Sequence, residues 1–130
     1  MRFLFDENMP KVLASVLGNL GKSVSHTRDV DELGLRTLDE RVIAHAADHN
    51  QFVVSRDFAM AEEPWFRAEV KRLGAGVFFI RASRKSGKEM RLWPLAQLLV
   101  KGWDQIEYYA EHNKPPFVAL MKSSGHVSTY

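Results

Sequence analysis

Three segments of the chain deliver carboxylates beside short apolar runs. Asp6 follows Phe3-Leu4-Phe5, Asp57 follows Phe52-Val53-Val54-Ser55-Arg56, and Asp39 with Glu40 opens the amphipathic stretch that leads into the second of those runs. Carboxylates gathered within a few ångströms repel one another in a partly buried site, so they stay ionised together when a cation neutralises them. Oxygen donors of this kind suit a hard divalent ion, and Mg or Mn is the expected cofactor. The chain has no Cys, which removes thiol nucleophiles, disulfides and cysteine zinc sites together. Taken singly, each acid has a plainer role: Asp6 as a cap or turn residue, Asp57 as a cap, and Glu40 as the capping-box partner of Thr37. Taken together, they form an arrangement that capping does not require.

Charge is divided along the chain. Residues 1–63 hold 7 Lys/Arg against 11 Asp/Glu, and residues 64–130 hold 11 against 5, so −4 is followed by +6 and the sum is the net +2. The densest piece is Arg81 to Arg91, where Arg81, Arg84, Lys85, Lys88 and Arg91 oppose only Glu89. Such a segment suits a polyanion, with a solvated basic loop as the alternative reading.

The elements that must position these groups follow from apolar spacing. At 130 residues, 45% hydrophobic and 26% charged, the chain fits one compact unit that buries roughly two thirds of its unfolded surface. Unbroken apolar runs predict strands at 3–5, 52–54, 77–80 and 117–121, and a further strand is expected at 23–26, after the first helix. Helical spacing predicts helices over 9–20, from the Thr37 cap to about His49, a short one between Pro64 and Gly74, and a long one from Trp93 to before Pro115. Strands that are apolar throughout and alternate with helices indicate a three-layer α/β/α domain over residues 1–121. Its central sheet is expected to be mainly parallel, with about five strands, and residues 122–130 read as a polar tail. Ligands of such sheets sit outside the C-terminal ends of the strands, where Asp6 and Asp57 fall. No apolar run reaches the ~18 residues that span a bilayer, and Asp6 interrupts the opening before a signal-peptide core forms. The expectation is a cytoplasmic protein without a membrane partner.

Other signals fit packing or solvation. His45 and His49 have the spacing of helical zinc ligands but lack the Glu of His-Glu-x-x-His, which leaves a solvated helix face. Trp93 and Trp103 sit at helical core spacing, and Tyr108 and Tyr109 suit packing or oligomer contacts. Position 8 is Asn, so the Asp-x-Asp of phosphatases is absent.

Phe3-Leu4-Phe5-Asp6-Glu7-Asn8-Met9-Pro10 resembles the opening of the small PIN-like nucleases related to VapC-type toxins. His26-Thr27-Arg28-Asp29, Leu38-Asp39-Glu40-Arg41-Val42-Ile43-Ala44-His45-Ala46 and Phe52-Val53-Val54-Ser55-Arg56-Asp57 are similar to successive blocks of that family, in the same order, over roughly residues 2–82. The resemblance implies a PIN fold and metal-dependent cleavage of RNA, commonly by the toxin of a toxin-antitoxin pair. By position, Asp6 and Asp57 match the family's metal-binding acids, and Asp39 or Glu40 matches its helix acid. The chain departs from the pattern after Asp57: the further acid expected there is replaced by Phe58-Ala59-Met60-Ala61, and Glu62 is the next candidate. On this reading Asp6, Asp39 and Asp57 are catalytic and hold Mg or Mn, with Glu40 as a further candidate ligand. Asn8 and Ser55 orient metal-bound waters, and Arg56, Arg81, Arg84, Lys85 and Lys88 grip RNA phosphates. A cognate antitoxin and a homodimer are the expected protein partners. The alternative is a catalytically weak PIN-like module that binds RNA or a protein through the basic stretch and the long helix.

Overall fold

Aromatic and β-branched runs bounded by polar turns form the strands of this chain, whose computed structural model describes residues 1–33, 39–81 and 90–130. The strands are β1 (Arg2–Phe5), β2 (Val24–His26), β3 (Gln51–Ser55), β4 (Gly76–Ile80), β5 (Phe117–Met121) and β6 (Val127–Thr129), and they lie in one sheet in the order β2-β1-β3-β4-β5-β6. The first five are parallel and β6 is antiparallel to β5. Between them run α1 (Lys11–Asn19), α2 (Asp39–Asp48), α3 (Phe58–Glu62), α4 (Pro64–Leu73) and α5 (Leu92–His112), with a turn of 3-10 helix at Thr27–Asp29.

Alternation along the strands divides the core in two. Phe3, Phe5, Val54, Phe78, Ile80 and Met121 pack with Leu13 and Leu17 of α1 and with Leu95, Leu99, Trp103 and Ile106 of α5. Leu4, Val53, Val77, Phe79 and Leu120 pack with Val42 and Ile43 of α2 and with Phe66 and Val70 of α4. The fold is therefore the expected α/β/α sandwich. Because α1 and α2 cover opposite faces, the chain reverses direction across the sheet between β1 and β3. The crevice at their C-terminal ends is the topological switch point. The connection through α5 is opposite in hand to that through α3 and α4, since both step the same way across the sheet but lie on different faces.

The structure departs from the sequence expectations in three places. The sheet has six strands instead of about five, because residues 122–130 are not a polar tail. Val127 is buried, Ser128 pairs with Leu120, and the Tyr130 N–H donates to the Val118 carbonyl at 2.9 Å. Three residues with one apolar side chain carry too little periodicity to announce a strand, and the pairing comes from β5. The expected short helix is preceded by a separate turn of helix, α3, because Pro64 at the start of α4 has no N–H to continue it. Finally, Trp93 is 72% exposed while Trp103 is buried, edge-on to Phe3 at 4.9 Å. The buried face of α5 begins only at Leu95, after the Trp93-Pro94 entry.

Tyr109 packs against Phe78 and Phe117, whereas Tyr108 is exposed and stacked on His112. His45 and His49 stack on one another at 3.9 Å at the surface of α2. The Thr37 cap lies outside the described residues. Among the described residues no helix is long and apolar enough to cross a membrane.

Candidate metal centre at the switch point

The register of the parallel strands sets the site. Phe5 is paired with Val54, and the Asp6 N–H donates to the Val54 carbonyl at 3.2 Å, so Asp6 and Ser55 continue side by side beyond the strand ends. Phe5 and Val54 face the α1 layer, so the next residue on each strand faces the α2 layer, whose first helical turn carries Asp39 and Glu40. Three acids distant in sequence are thus delivered to one crevice by a strand end, a strand-to-helix turn and a helix start.

Asp6 is 3% exposed. Its Oδ1 accepts the Asn8 N–H at 3.0 Å, while Oδ2 is buried without a hydrogen-bond partner. Burial disfavours the charged form and, with a smaller push from Asp39, raises the carboxyl from 3.8 to about 6. The Ser55 hydroxyl and Asn8 pull in the opposite direction without meeting Oδ2 in hydrogen-bond geometry. Asp39 is half-buried and its pKa is also raised, first by burial and then by the charges of Asp57, Glu40 and Glu7. An orphaned buried oxygen on an acid that feels a second carboxylate is costly in a structural role and suited to a cation.

The remaining predicted residues divide. Asp57 caps α3, its Oδ1 accepting the Met60 N–H at 3.3 Å, so the plainer reading holds for one of its two oxygens. Ser55 is buried and its Oγ accepts the Asp57 N–H at 3.0 Å, which couples the two residues after β3. Glu40 is exposed and acts on the crevice through its charge on Asp39. Glu62 is exposed and accepts the Tyr130 hydroxyl at 3.5 Å. Arg56 is engaged with protein: its Nε donates to the Asn8 carbonyl at 2.9 Å and a terminal nitrogen to the Met90 carbonyl at 3.4 Å. Arg81 is exposed, with its backbone N–H on the Met121 carbonyl. Arg84, Lys85 and Lys88 lie outside the described residues. Two contributors were missed by sequence reasoning. Glu7 adds to the field on Asp39, and its place beside Asp6 was the available signal. His26 is buried and contacts the Met9 carbonyl, with nothing local to distinguish it from a core histidine.

A family profile described as PIN like domain matches residues 1–82, well over half of the chain. The chain belongs to the PIN-like domain family. The match spans β1 to β4 and every acid of the crevice, while α5, β5 and β6 complete the sheet and one helical layer outside it. No curated protein and no solved structure matches the chain at a significant level. PIN-like domains are generally nucleases, so the fold is of nuclease type, which supports hydrolysis as the reaction class. PIN domains usually use divalent metals, and the donor set here agrees in chemistry: hard carboxylate oxygens, one of them buried and unpartnered. Among the described residues no three His, Asp or Glu side chains already stand at metal-binding spacing.

Proposed function

We propose that this PIN-like protein is a metal-dependent endoribonuclease, active in the cytoplasm with Mg or Mn as cofactor. We read it as the toxin of a VapBC-type toxin-antitoxin pair. The observation that carries the reading is Asp6: a carboxylate buried at the switch point of a parallel sheet, with one oxygen fixed by Asn8 and the other left unpartnered.

On this reading Asp6, Asp39 and Asp57 hold the ion, with Glu40 and Glu7 adding negative potential around it. When bound, such an ion activates a water and neutralises charge developing on phosphorus. Asn8 and Ser55 border Asp6 and orient waters there. Arg81, Arg84, Lys85 and Lys88 hold flanking phosphates, a contribution that is independent of sequence and screened by salt. Arg56 acts less as a phosphate ligand than as a brace, since its guanidinium grips the backbone carbonyls of Asn8 and Met90. The exposed Leu92, Trp93 and Val100 of α5 are the surface offered to an antitoxin peptide, and a homodimer is the assembly the family resemblance implies.

A second reading, a PIN-like module that binds RNA or protein with little turnover, is favoured by the spacing of the acids, which do not converge as three ligands among the described residues. Cleavage of an end-labelled structured RNA by wild type and Asp6→Asn, each with Mg, Mn or EDTA, separates the two. Cutting by wild type alone, stopped by EDTA, supports the nuclease. Salt-sensitive binding by both proteins without cutting moves the binding module to first place.

A further inference from the structure

The turn between β1 and α1 is held by two side chains that belong to other strands. His26, at the end of β2, is fully buried. Its Nδ1 faces the Arg28 backbone N–H at 3.1 Å, and because an amide nitrogen can only donate, Nδ1 must be the accepting nitrogen. The ring proton is then on Nε2, which donates to the Met9 carbonyl at 2.7 Å. From the other side, Arg56 beyond β3 donates to the adjacent Asn8 carbonyl at 2.9 Å.

These bonds add to others within the turn. The Asp6 N–H goes to Val54, the Asp6 carbonyl accepts the Met9 N–H at 3.1 Å, and the Asn8 N–H goes to Asp6 Oδ1. The carbonyls of Asn8 and Met9 are taken by Arg56 and His26, and the Met9 side chain is buried in the core. Asp6 Oδ2 is left as the orphan. Backbone groups satisfied from two flanking strands cannot rotate without losing a bond, so the Asn8 N–H is pinned on Oδ1 and the carboxylate plane is set.

We infer that His26 is a positioning residue, which, opposite Arg56, clamps the Asp6–Pro10 turn and so fixes which oxygen of Asp6 is presented to the crevice. The clamp itself follows from the hydrogen bonds, and only its service to a cation rests on the function proposed above. Groups that orient a ligand residue in this way, without touching the metal, typically change metal affinity about 10- to 100-fold when removed.

The test compares His26→Leu, which loses both bonds at similar volume, with His26→Gln, whose amide keeps a donor and an acceptor. A core control, Leu17→Ala on α1, is used at a temperature where its global destabilisation matches that of His26→Leu. The first readout, without metal, is amide hydrogen exchange of Asn8. We expect exchange at Asn8 to accelerate at least tenfold in His26→Leu and to return toward wild type in His26→Gln. Amides of β5 and the Asn8 amide of the Leu17 control should keep pace with global stability alone. The second readout is Mn binding by calorimetry, expected to weaken about 10- to 100-fold in His26→Leu, to recover in part in His26→Gln and to stay unchanged in the control. Asn8 exchange that follows global stability equally in all variants overturns the clamp. Loss of Asn8 protection in a wild-type background that binds no Mn leaves the clamp standing and removes the metal reading instead. If His26→Leu does not fold, the same exchange measurement on His26→Gln and Arg56→Lys decides the matter, since unaltered Asn8 protection in both overturns the inference.

Discussion

Asp39, in the first turn of α2, raises the pKa of Asp6 at the end of β1, although α1 and β2 lie between them in the chain. The effect adds to a larger one, the burial of Asp6 beneath the α2 layer. The folded protein therefore holds a carboxyl at about 6 whose ordinary value is 3.8. A domain of this size has about 5–15 kcal/mol of net stability, so such a group is a sizeable internal cost.

That cost makes Asp6→Asn a variant with opposite effects on stability and activity. At pH 7 and without metal the charged form of Asp6 costs up to about 3 kcal/mol relative to the unfolded chain. Replacing it with a neutral amide of the same shape should raise the melting temperature in EDTA while cleavage falls at least a hundredfold. Thermal denaturation and RNA cleavage on the same preparations test both halves, and a variant that loses stability contradicts the assigned burial penalty.

The pH dependence has a definite sign. The folded state binds the Asp6 proton more tightly than the unfolded state, so this residue contributes stability below its unfolded pKa that is lost as pH rises through about 6. The stability gap between Asp6→Asn and wild type in EDTA should widen from pH 4 to pH 7 and then level off. Mn should stabilise wild type more at pH 7 than at pH 5, because binding requires the deprotonated carboxylate. Denaturant titrations across that range, with and without Mn, measure both trends.

Asp39 and Glu40 should separate on substitution. Asp39 is half-buried and acts on Asp6, whereas Glu40 is exposed and acts on Asp39. Asp39→Asn should lower the Asp6 titration midpoint followed by carboxyl carbon NMR and weaken Mn binding sharply. Glu40→Gln should leave the Asp6 midpoint in place and reduce Mn affinity a few-fold. Equal effects from both would assign the helix acid to neither.

Gly76 tests the fold apart from the site. A Cβ there would lie 2.6 Å from Phe52 Cδ1 and 2.8 Å from Phe117 Cζ, between two rings stacked at 5.7 Å. Gly76→Ala should cost about 1–3 kcal/mol by overpacking. It lies at the N-terminal end of β4, opposite the acidic edge, so cleavage at low temperature should be unaffected. Urea denaturation alongside cleavage assays at about 20 °C tests this.

RNA affinity should fall with salt if the segment after β4 carries the phosphate contacts. When Arg84, Lys85 and Lys88 are changed to Ala, the slope of log affinity against log salt should become shallower by up to about 0.7 for each phosphate left unneutralised. Filter binding of a single-stranded RNA in EDTA at several salt concentrations reads this without cleavage. An unchanged slope would place the phosphate-binding groups elsewhere.

Much of this was written locally. Phe3-Leu4-Phe5, Val53-Val54 and Val77-Phe78-Phe79-Ile80 are buried on both faces because they are apolar at every position. With helices alternating between them, that property implies a parallel sheet under two helical layers, with Asp6 and Asp57 at its C-terminal edge. What remained invisible depended on partners distant in the chain. Val127-Ser128-Thr129 is a strand because β5 offers it an edge, and Trp93 is exposed because α5 enters the core only at Leu95. Arg56 looked like a phosphate ligand because a charge in sequence carries no record of its acceptor, and two backbone carbonyls claim it. The residue types at the crevice were legible in the chain. The burial of Asp6, its unpartnered oxygen and the His26 bond to Met9 were decided by tertiary structure, since each arises only when strands that are apart in sequence lie side by side.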